Sequence, residues 1–320
     1  MDTETVAGQA ANRGGQAQGL KLDHSPRIID CMYQRPRVAA AFLREEGGEL
    51  AFVEANTARA LPLLLGALAE SGHHPEEVRY LIVTHAHLDH AGGAFALMEA
   101  CPNATLVAHP RAARHLVDPA KLEAGTRRVY GDEVFEALYG ELRPVPAERV
   151  ITPEDGASIP FGSGKLLIMH TRGHAKHHLA VLDPLADAVY TGDAFGLFYP
   201  ELQERGLFIF PSSSPTDFEG AEALAAVDRI AAAGAGRVML SHFGELREIA
   251  AARVQLRRHL EASIEIAGQA RSLPEVARQP FILGKLRLYY DDALAIAKDG
   301  FLDKDLELNA DGLAWSIREA

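Results

Sequence analysis

Short apolar runs bounded by polar or turn-forming residues open the chain, at 27–33 (RIIDCMY), 38–43 (VAAAFL) and 49–54 (ELAFVE), and each predicts a strand. Helical spacing follows over 59–71, with Pro62 inside the first turn, where its missing N–H does no harm. A strand at 78–84 (VRYLIVT), a helix from Ala91 to Ala100, a strand at 104–108 and helical patterns through 110–140 come next. The second half repeats the first in outline. Strands are predicted at 148–151, 156–160, 164–170, 179–183 and 188–191, then a loop (194–216), a helix (217–233) and a strand (237–241). Two such rounds predict an α/β fold in which two sheets lie between helices. From Glu245 the pattern changes. Leu246, Ile249, Leu256, Leu260, Ile264 and Ala267 recur three or four apart, the signature of an amphipathic helix over 245–272. Pro274 can open another helix, and 283–298 reads as helical again. Residues 245–320 are therefore expected as a helical extension packed on a core of 20–244, where it can cover or shape a site.

Composition narrows the function. The 320 residues are 48% hydrophobic and 24% charged, which suits an ordinary globular protein. No stretch approaches the roughly 18 uninterrupted apolar residues that cross a bilayer. Residues 1–19 have neither a basic start nor an apolar centre, so they read as a disordered polar tail and not as a signal peptide. Cys31 and Cys101, each among apolar neighbours, cannot form a disulfide framework and suit a reducing cytoplasm. A net charge of −12 argues against a nucleic-acid partner, which needs a concentrated basic face. Histidine is the exception to this ordinariness. The chain has 14, and they are not scattered.

The strand 78–84 runs directly into His85-Ala86-His87-Leu88-Asp89-His90. His85 and His87 are two apart, so extended geometry points both imidazoles the same way. Asp89 and His90 fall where a helix should begin and turn toward a neighbouring point. Four ligand-type side chains within six residues can hold two metals side by side, and Gly92 and Gly93 let the backbone approach closely. Imidazole with carboxylate suits zinc, and also iron or manganese. Three further strands each end on a ligand-type residue: His174 after 164–170, Asp193 after 188–191, and His242 after 237–241. Strand C-termini are where α/β folds place their chemistry.

These residues in this order resemble the metallo-β-lactamase superfamily, through THAHLDH (84–90), TRGHAKHH (171–178), TGD (191–193) and SH (241–242). The resemblance covers roughly 25–244 and implies an αββα sandwich with a dinuclear site in the cleft between its halves. It implies that His85, His87 and His174 hold one cation, and that Asp89, His90 and His242 hold the other, with Asp193 bridging. True β-lactamases of the superfamily lack the bridging aspartate, so Asp193 favours the branch of glyoxalase II, thioesterases, lactonases and phosphodiesterases. Where that branch has an acidic-Thr-Gly turn, this chain has Glu54-Ala55-Asn56-Thr57, which bears on substrate choice more than on metal binding.

The implied activity is a metallohydrolase that cleaves a small ester, thioester or lactone by attack of a metal-bound hydroxide, with two divalent ions, zinc foremost. Asp89 can also orient the water and pass a proton to the leaving group. The alternatives are a phosphodiesterase, a persulfide dioxygenase with one iron, and a low-turnover signalling or binding protein. His178, Phe195, Phe198 and Tyr199 are candidates to support the ligands or face the substrate, the three aromatics within a loop that also carries Phe208 and Phe210. His170 and His177 are expected near the site without binding metal. His24, His73, His74, His109, His115 and His259 are expected on the surface. Ser212-Ser213-Ser214 lacks the flanking glycines of a nucleophile elbow, and Gly162-Ser163-Gly164 reads as a hairpin turn. The partner is a small-molecule substrate, and apolar faces on the appended helices permit a homodimer.

Overall fold

The computed structural model describes residues 24–297 and 300–318; the expected polar tail lies outside them. The first sheet comprises β1 (Arg27–Asp30), β2 (Ala40–Glu46), β3 (Glu49–Val53), β4 (Val78–Ile82), β5 (Thr105–Val107) and β6 (Val150–Ile151), in that spatial order. Its first three strands are antiparallel and the rest parallel. The second sheet runs β12-β11-β10-β9-β8-β7 and comprises β7 (Ser158–Phe161), β8 (Gly164–His170), β9 (Leu179–Asp183), β10 (Ala188–Gly192), β11 (Arg237–Leu240) and β12 (Gly244–Leu246). Only β10 and β11 pair in parallel there.

Period-two alternation assigns the faces. In β2, Ala40 and Phe42 face the second sheet and pack with Ile168, Val181 and Tyr190. Ala41 and Leu43 face outward, where helices α1 (Leu61–Glu70), α3 (Ala94–Ala100) and α4 (Pro110–Val117) cover the first sheet. The second sheet's outer face carries Val189, Val238 and Leu240 beneath α7 (Gly220–Ala231) and the C-terminal helices. The layers are therefore helix, sheet, sheet, helix. Between them, Arg44 is almost fully buried and donates to Asp183 at 2.7 Å and Glu46 at 3.0 Å, an ion network that ties β2 to the end of β9.

The remaining helices are α2 (Leu88–Ala91), α5 (Ala120–Tyr130), α6 (Asp132–Leu138), α8 (Ile249–Ala270), α9 (Glu275–Tyr289), α10 (Asp291–Ile296) and α11 (Phe301–Ser316). Two sequence expectations change here. Residues 244–246 form a strand that pairs with β11 before α8 begins, so the helix predicted from Glu245 starts four residues later. The helix predicted at 283–298 is instead the end of α9 followed by α10, and α11 has no counterpart in the sequence pattern. Leu256, Leu260, Ile282, Leu306 and Leu313 share one continuous core with the sheet residues Val238 and Leu240.

His109 and His259, expected on the surface, are buried. His109 caps α4 by accepting from Arg111 N at 3.0 Å, and its ring lies 4.3 Å from that of His170. His259 sits among Phe208, Tyr289 and Tyr290, and neither ring nitrogen has a partner among the described residues. Burial pushes its imidazole down to about 4. As pH falls from about 6.5 toward 4, the unfolded chain takes up a proton that the folded chain refuses, so stability is lost across that window. His259→Phe is expected to raise stability at pH 7 by about 1 kcal/mol and to flatten this acid limb. Denaturant midpoints between pH 4.5 and 7.5 test this. An unchanged midpoint with an unchanged acid limb would refute it.

Candidate metal centre

Beyond the C-terminal end of β4, Val83 and Thr84 carry the chain into His85 and His87, and the single turn of α2 then presents Asp89 and His90. The loops after β8, β10 and β11 bring His174, Asp193 and His242 to the same place. His85 Nε2, His87 Nδ1 and His174 Nε2 lie 2.9, 3.1 and 3.2 Å apart. Beside them, His90 Nε2 and His242 Nε2 are 3.3 Å apart, and Asp89 Oδ2 is 3.4 Å from His242 Nε2. Asp193 spans both groups: Oδ2 lies 3.6 Å from His174 Nε2, and Oδ1 lies 3.2 Å from His90 Nε2 and 3.6 Å from His242 Nε2. All seven residues singled out in the sequence thus converge on one spot.

Three ring nitrogens facing one another cannot all be satisfied by hydrogen bonds, because each offers either one proton or one lone pair. A shared cation satisfies three lone pairs at once. A tetrahedral zinc with Zn–N bonds of about 2.0–2.1 Å sets its ligand nitrogens about 3.3 Å apart, close to the spacing seen. Asp193 Oδ1 adds a second sign, since it is buried without a hydrogen bond. The residues present therefore fit a pair of divalent cations: His85, His87 and His174 for one, Asp89, His90 and His242 for the other, and Asp193 shared.

Outer contacts orient the rings. His85 Nδ1 donates to Thr84 Oγ1 (3.0 Å), His174 Nδ1 to the Ser212 carbonyl (2.9 Å) and His242 Nδ1 to the Val38 carbonyl (2.6 Å). Each bond leaves the inward nitrogen with its lone pair. Burial, reinforced by neighbouring imidazoles, holds His85 and His87 well below the usual histidine range, so both are neutral and ready to ligate. Burial also pulls His90 down, but Asp193, Asp89 and Glu54 together lift it well above that range. A positive charge is thus favoured where the second cation belongs.

Glu54 is the functional group that sequence reading undervalued. It is buried at the end of β3, and its Oε1 accepts from Thr84 Oγ1 (2.6 Å), Ser241 Oγ (2.9 Å) and His90 Nδ1 (3.0 Å). The departing turn sequence therefore supports the ligands directly. An acidic residue ending the strand beside β4 was the available signal. Glu54→Gln places an amide N–H₂ among these donors and is expected to weaken the second cation's affinity about 10–100-fold. Competition with a chromophoric chelator measures this, and a dissociation constant within twofold of the wild type would count against the role.

The cations would face a cavity of about 380 Å³, bounded by His87, Asp89, His174, Asp193 and His242 on one side. Helices α5 and α11, Tyr139, Tyr199 and the loop 212–217 form most of the rest. Of the aromatic candidates only Tyr199 reaches it. Phe195 is wholly buried in the core beneath the C-terminal helices, and Phe198 packs against that core, because the loop turns their rings away from the cleft. His178 is buried and does not line the cavity. Its Nδ1 bonds Thr171 Oγ1 (2.8 Å) and its Nε2 accepts from the Asp193 amide (3.3 Å), so it fixes the backbone of the bridging residue. Gly192 is required beside it, since a Cβ there would come within 2.5 Å of His178 Nε2 and Thr84 Oγ1. His177 lines the cavity without joining the metal groups, and His115, expected on the surface, lines it too. His170 lies away from the cavity lining and bonds the Pro153 carbonyl at 3.1 Å.

A family model described as the metallo-beta-lactamase superfamily matches residues 51–242, more than half of the chain. The chain is 28% identical over 128 residues to the metallo-beta-lactamase fold-containing protein ST1585 of Sulfurisphaera tokodaii, a match over 39% of this chain and 47% of that one. It therefore spans about half the length of that curated relative. By structure it superposes on the archaeal superfamily protein ST1585 from Sulfolobus tokodaii with a TM-score of 0.61 and 21% identity, covering 93% of this chain and 99% of that one. With the metallo-beta-lactamase family protein TTHA1429 from Thermus thermophilus the TM-score is 0.66 at 20% identity, covering 92% and 93%. At these identities the two structures establish the shared fold.

Proposed function

The chain belongs to the metallo-β-lactamase superfamily, and on that premise we propose that it is a dinuclear hydrolase of a small ester, thioester or lactone, with zinc as the native metal. The observation that carries this reading is Asp193, whose two oxygens reach separate ligand groups at one wall of a cavity of small-molecule size. When bound, such a pair of cations supplies activated water at neutral pH and a Lewis acid for a carbonyl oxygen.

The chain's own residues do the rest. Asp89 is the most exposed carboxylate of the ligand set, with its side chain 25% accessible and facing the cavity. Burial alone would raise its carboxyl, but before metal binds the positive charge of His90 and His242 holds it well below the usual range, a charge that the second cation would replace. It is therefore ionised at neutral pH, able to orient a water and to carry a proton to the leaving group. Asn56 steadies it by donating to the Asp89 carbonyl at 2.8 Å. Leu88, Leu122, Val129, Leu197 and Leu308 supply apolar wall for an acyl group and reduce the water around the reacting atoms. Cys31 and Cys101 are both buried and unpaired, which supports a reducing, cytoplasmic location. No helix among the described residues is long and apolar enough to cross a membrane.

Elemental analysis of the purified protein, combined with an ester, thioester, lactone and phosphodiester panel, tests the reading. Two metal equivalents with turnover on an acyl substrate are expected. Protein that neither holds nor takes up metal would overturn it, as would flat progress curves across the panel. An Asp89→Asn variant that kept both metals and full turnover would remove the proton-transfer role.

A further inference from the structure

Resting on that hydrolase reading, we propose that Asp305, together with the rings of Tyr130 and Tyr199, binds an ammonium group on the substrate, so that the molecule cleaved is a cationic ester or thioester. Four carboxylates line the cavity: Asp89, Asp193, Asp217 and Asp305. The first two belong to the ligand groups. Asp217 has Lys176 Nζ at 3.6 Å and the Lys176 amide at 3.3 Å. Asp305 has no cationic partner within 4.0 Å among the described residues; its one hydrogen bond there comes from the Tyr199 hydroxyl, at 3.4 Å. Arg35, whose charge acts on Asp305, is no direct partner of it: its guanidinium lies 3.5 Å from Glu201, 4.1 Å from the centre of the Phe301 ring and 5.8 Å from the centre of the Tyr199 ring. Burial pushes the Asp305 carboxyl up to about 7, against the opposing charges of His242 and Arg35, so desolvation outweighs the positive charge now near it. A cation arriving in the cavity relieves that penalty.

The aromatic rings around it favour the same occupant. Tyr199 bridges the two ends of the cavity, with its ring centre 6.4 Å from that of His242 and its hydroxyl on Asp305. Tyr130 lines the same space, backed by Tyr139 at 6.1 Å. Faces of tyrosine rings beside a carboxylate attract ammonium ions through the ring quadrupole as well as by charge. One tyrosine side chain separates the ligand His242 from Asp305, so a substrate can hold its reacting carbonyl at the cations and its ammonium group at Asp305 simultaneously. Asp305 and Leu308 lie three apart on α11 and present one face to the cavity, which makes this helix the element that sets selectivity.

The test uses metal-loaded full-length protein and an isosteric pair, choline and the uncharged 3,3-dimethylbutanol, titrated by calorimetry. The wild type is expected to bind choline about tenfold or more tightly than the neutral alcohol. Asp305→Asn is expected to bring the two within about twofold. Glu307→Gln, which makes the same charge change on the same helix away from the cavity, is expected to keep the preference. Metal content and thermal midpoint verify that each variant is folded and loaded. Equal binding of the two alcohols, no binding of choline, or a preference that survives Asp305→Asn would overturn the proposal. Binding does not require turnover, so an inert ester panel with intact choline discrimination would sink the hydrolase reading alone.

Discussion

Replacing Asp193 with asparagine is expected to leave the protein folded, with fewer than two metal equivalents per chain and turnover reduced by well over 100-fold. Loss of a group that merely supports a ligand costs roughly 10–100-fold in affinity or activity, and Asp193 reaches both ligand groups. One oxygen faces His174 and the other faces His90 and His242. An amide keeps the shape but replaces one anionic oxygen with an N–H₂, which has no lone pair to offer a cation. It also removes the buried negative charge that holds positive charge at His90. The backbone should not move, because the Asp193 amide remains tied to His178 and Gly192 keeps its close approach. Metal analysis, circular dichroism and steady-state rates on the best panel substrate separate these effects. Two metal equivalents with a rate within tenfold of the wild type would remove Asp193 from the centre of the chemistry.

The convergence behind that expectation was legible in the sequence because each ligand-type residue follows an apolar strand, and strand ends in a layered α/β fold come together. His85, His87, Asp89 and His90 are adjacent in the chain, and His174, Asp193 and His242 mark the same end of the second sheet. Burial of the other histidines was not legible. His109 precedes α4 and His259 lies within α8, and only tertiary packing against His170 or Tyr290 shows that each turns inward. The aromatic loop divided for a similar reason. Phe195 and Tyr199 are four residues apart, yet one fills the core and the other faces the cleft, a distinction set by the path of an irregular segment with no period to read. Helix α11 lies inside the expected helical extension, but no periodic stretch of its own marks it out. Polar residues such as Asp303, Lys304, Asp305, Glu307, Asn309 and Asp311 blur its apolar stripe, and two of them, Asp305 and Asn309, face inward to do specific work.

That inward face makes Gly312 a position at which a single methyl group should do heavy damage without itself touching a ligand. Asn309 reaches from α11 to the loop after Pro211: its Oδ1 accepts from the Ser213 amide at 2.6 Å, and its Nδ2 donates to the Pro211 carbonyl at 2.9 Å. The neighbouring Ser212 carbonyl is the acceptor that orients His174. This docking is possible because Gly312, one turn along, has no side chain; a Cβ there would lie 1.8 Å from the Ser213 carbonyl oxygen. The obstructing atom is backbone and cannot rotate away, so Gly312→Ala must lift the helix from the loop. Overpacking of this kind costs about 1–3 kcal/mol and sometimes more. The separation also strains the Asn309 bonds, and buried polar groups left unpaired add to the penalty. Helix propensity alone predicts the opposite sign, since alanine in a helix interior is better than glycine by about 1 kcal/mol. The contact should win, giving a lower denaturant midpoint and weaker binding of the cation held by His85, His87 and His174, while His90 and His242 keep theirs. Stepwise metal titration resolves the two sites. A variant as stable as the wild type, with both affinities unchanged, would show that α11 does not brace the ligand loop.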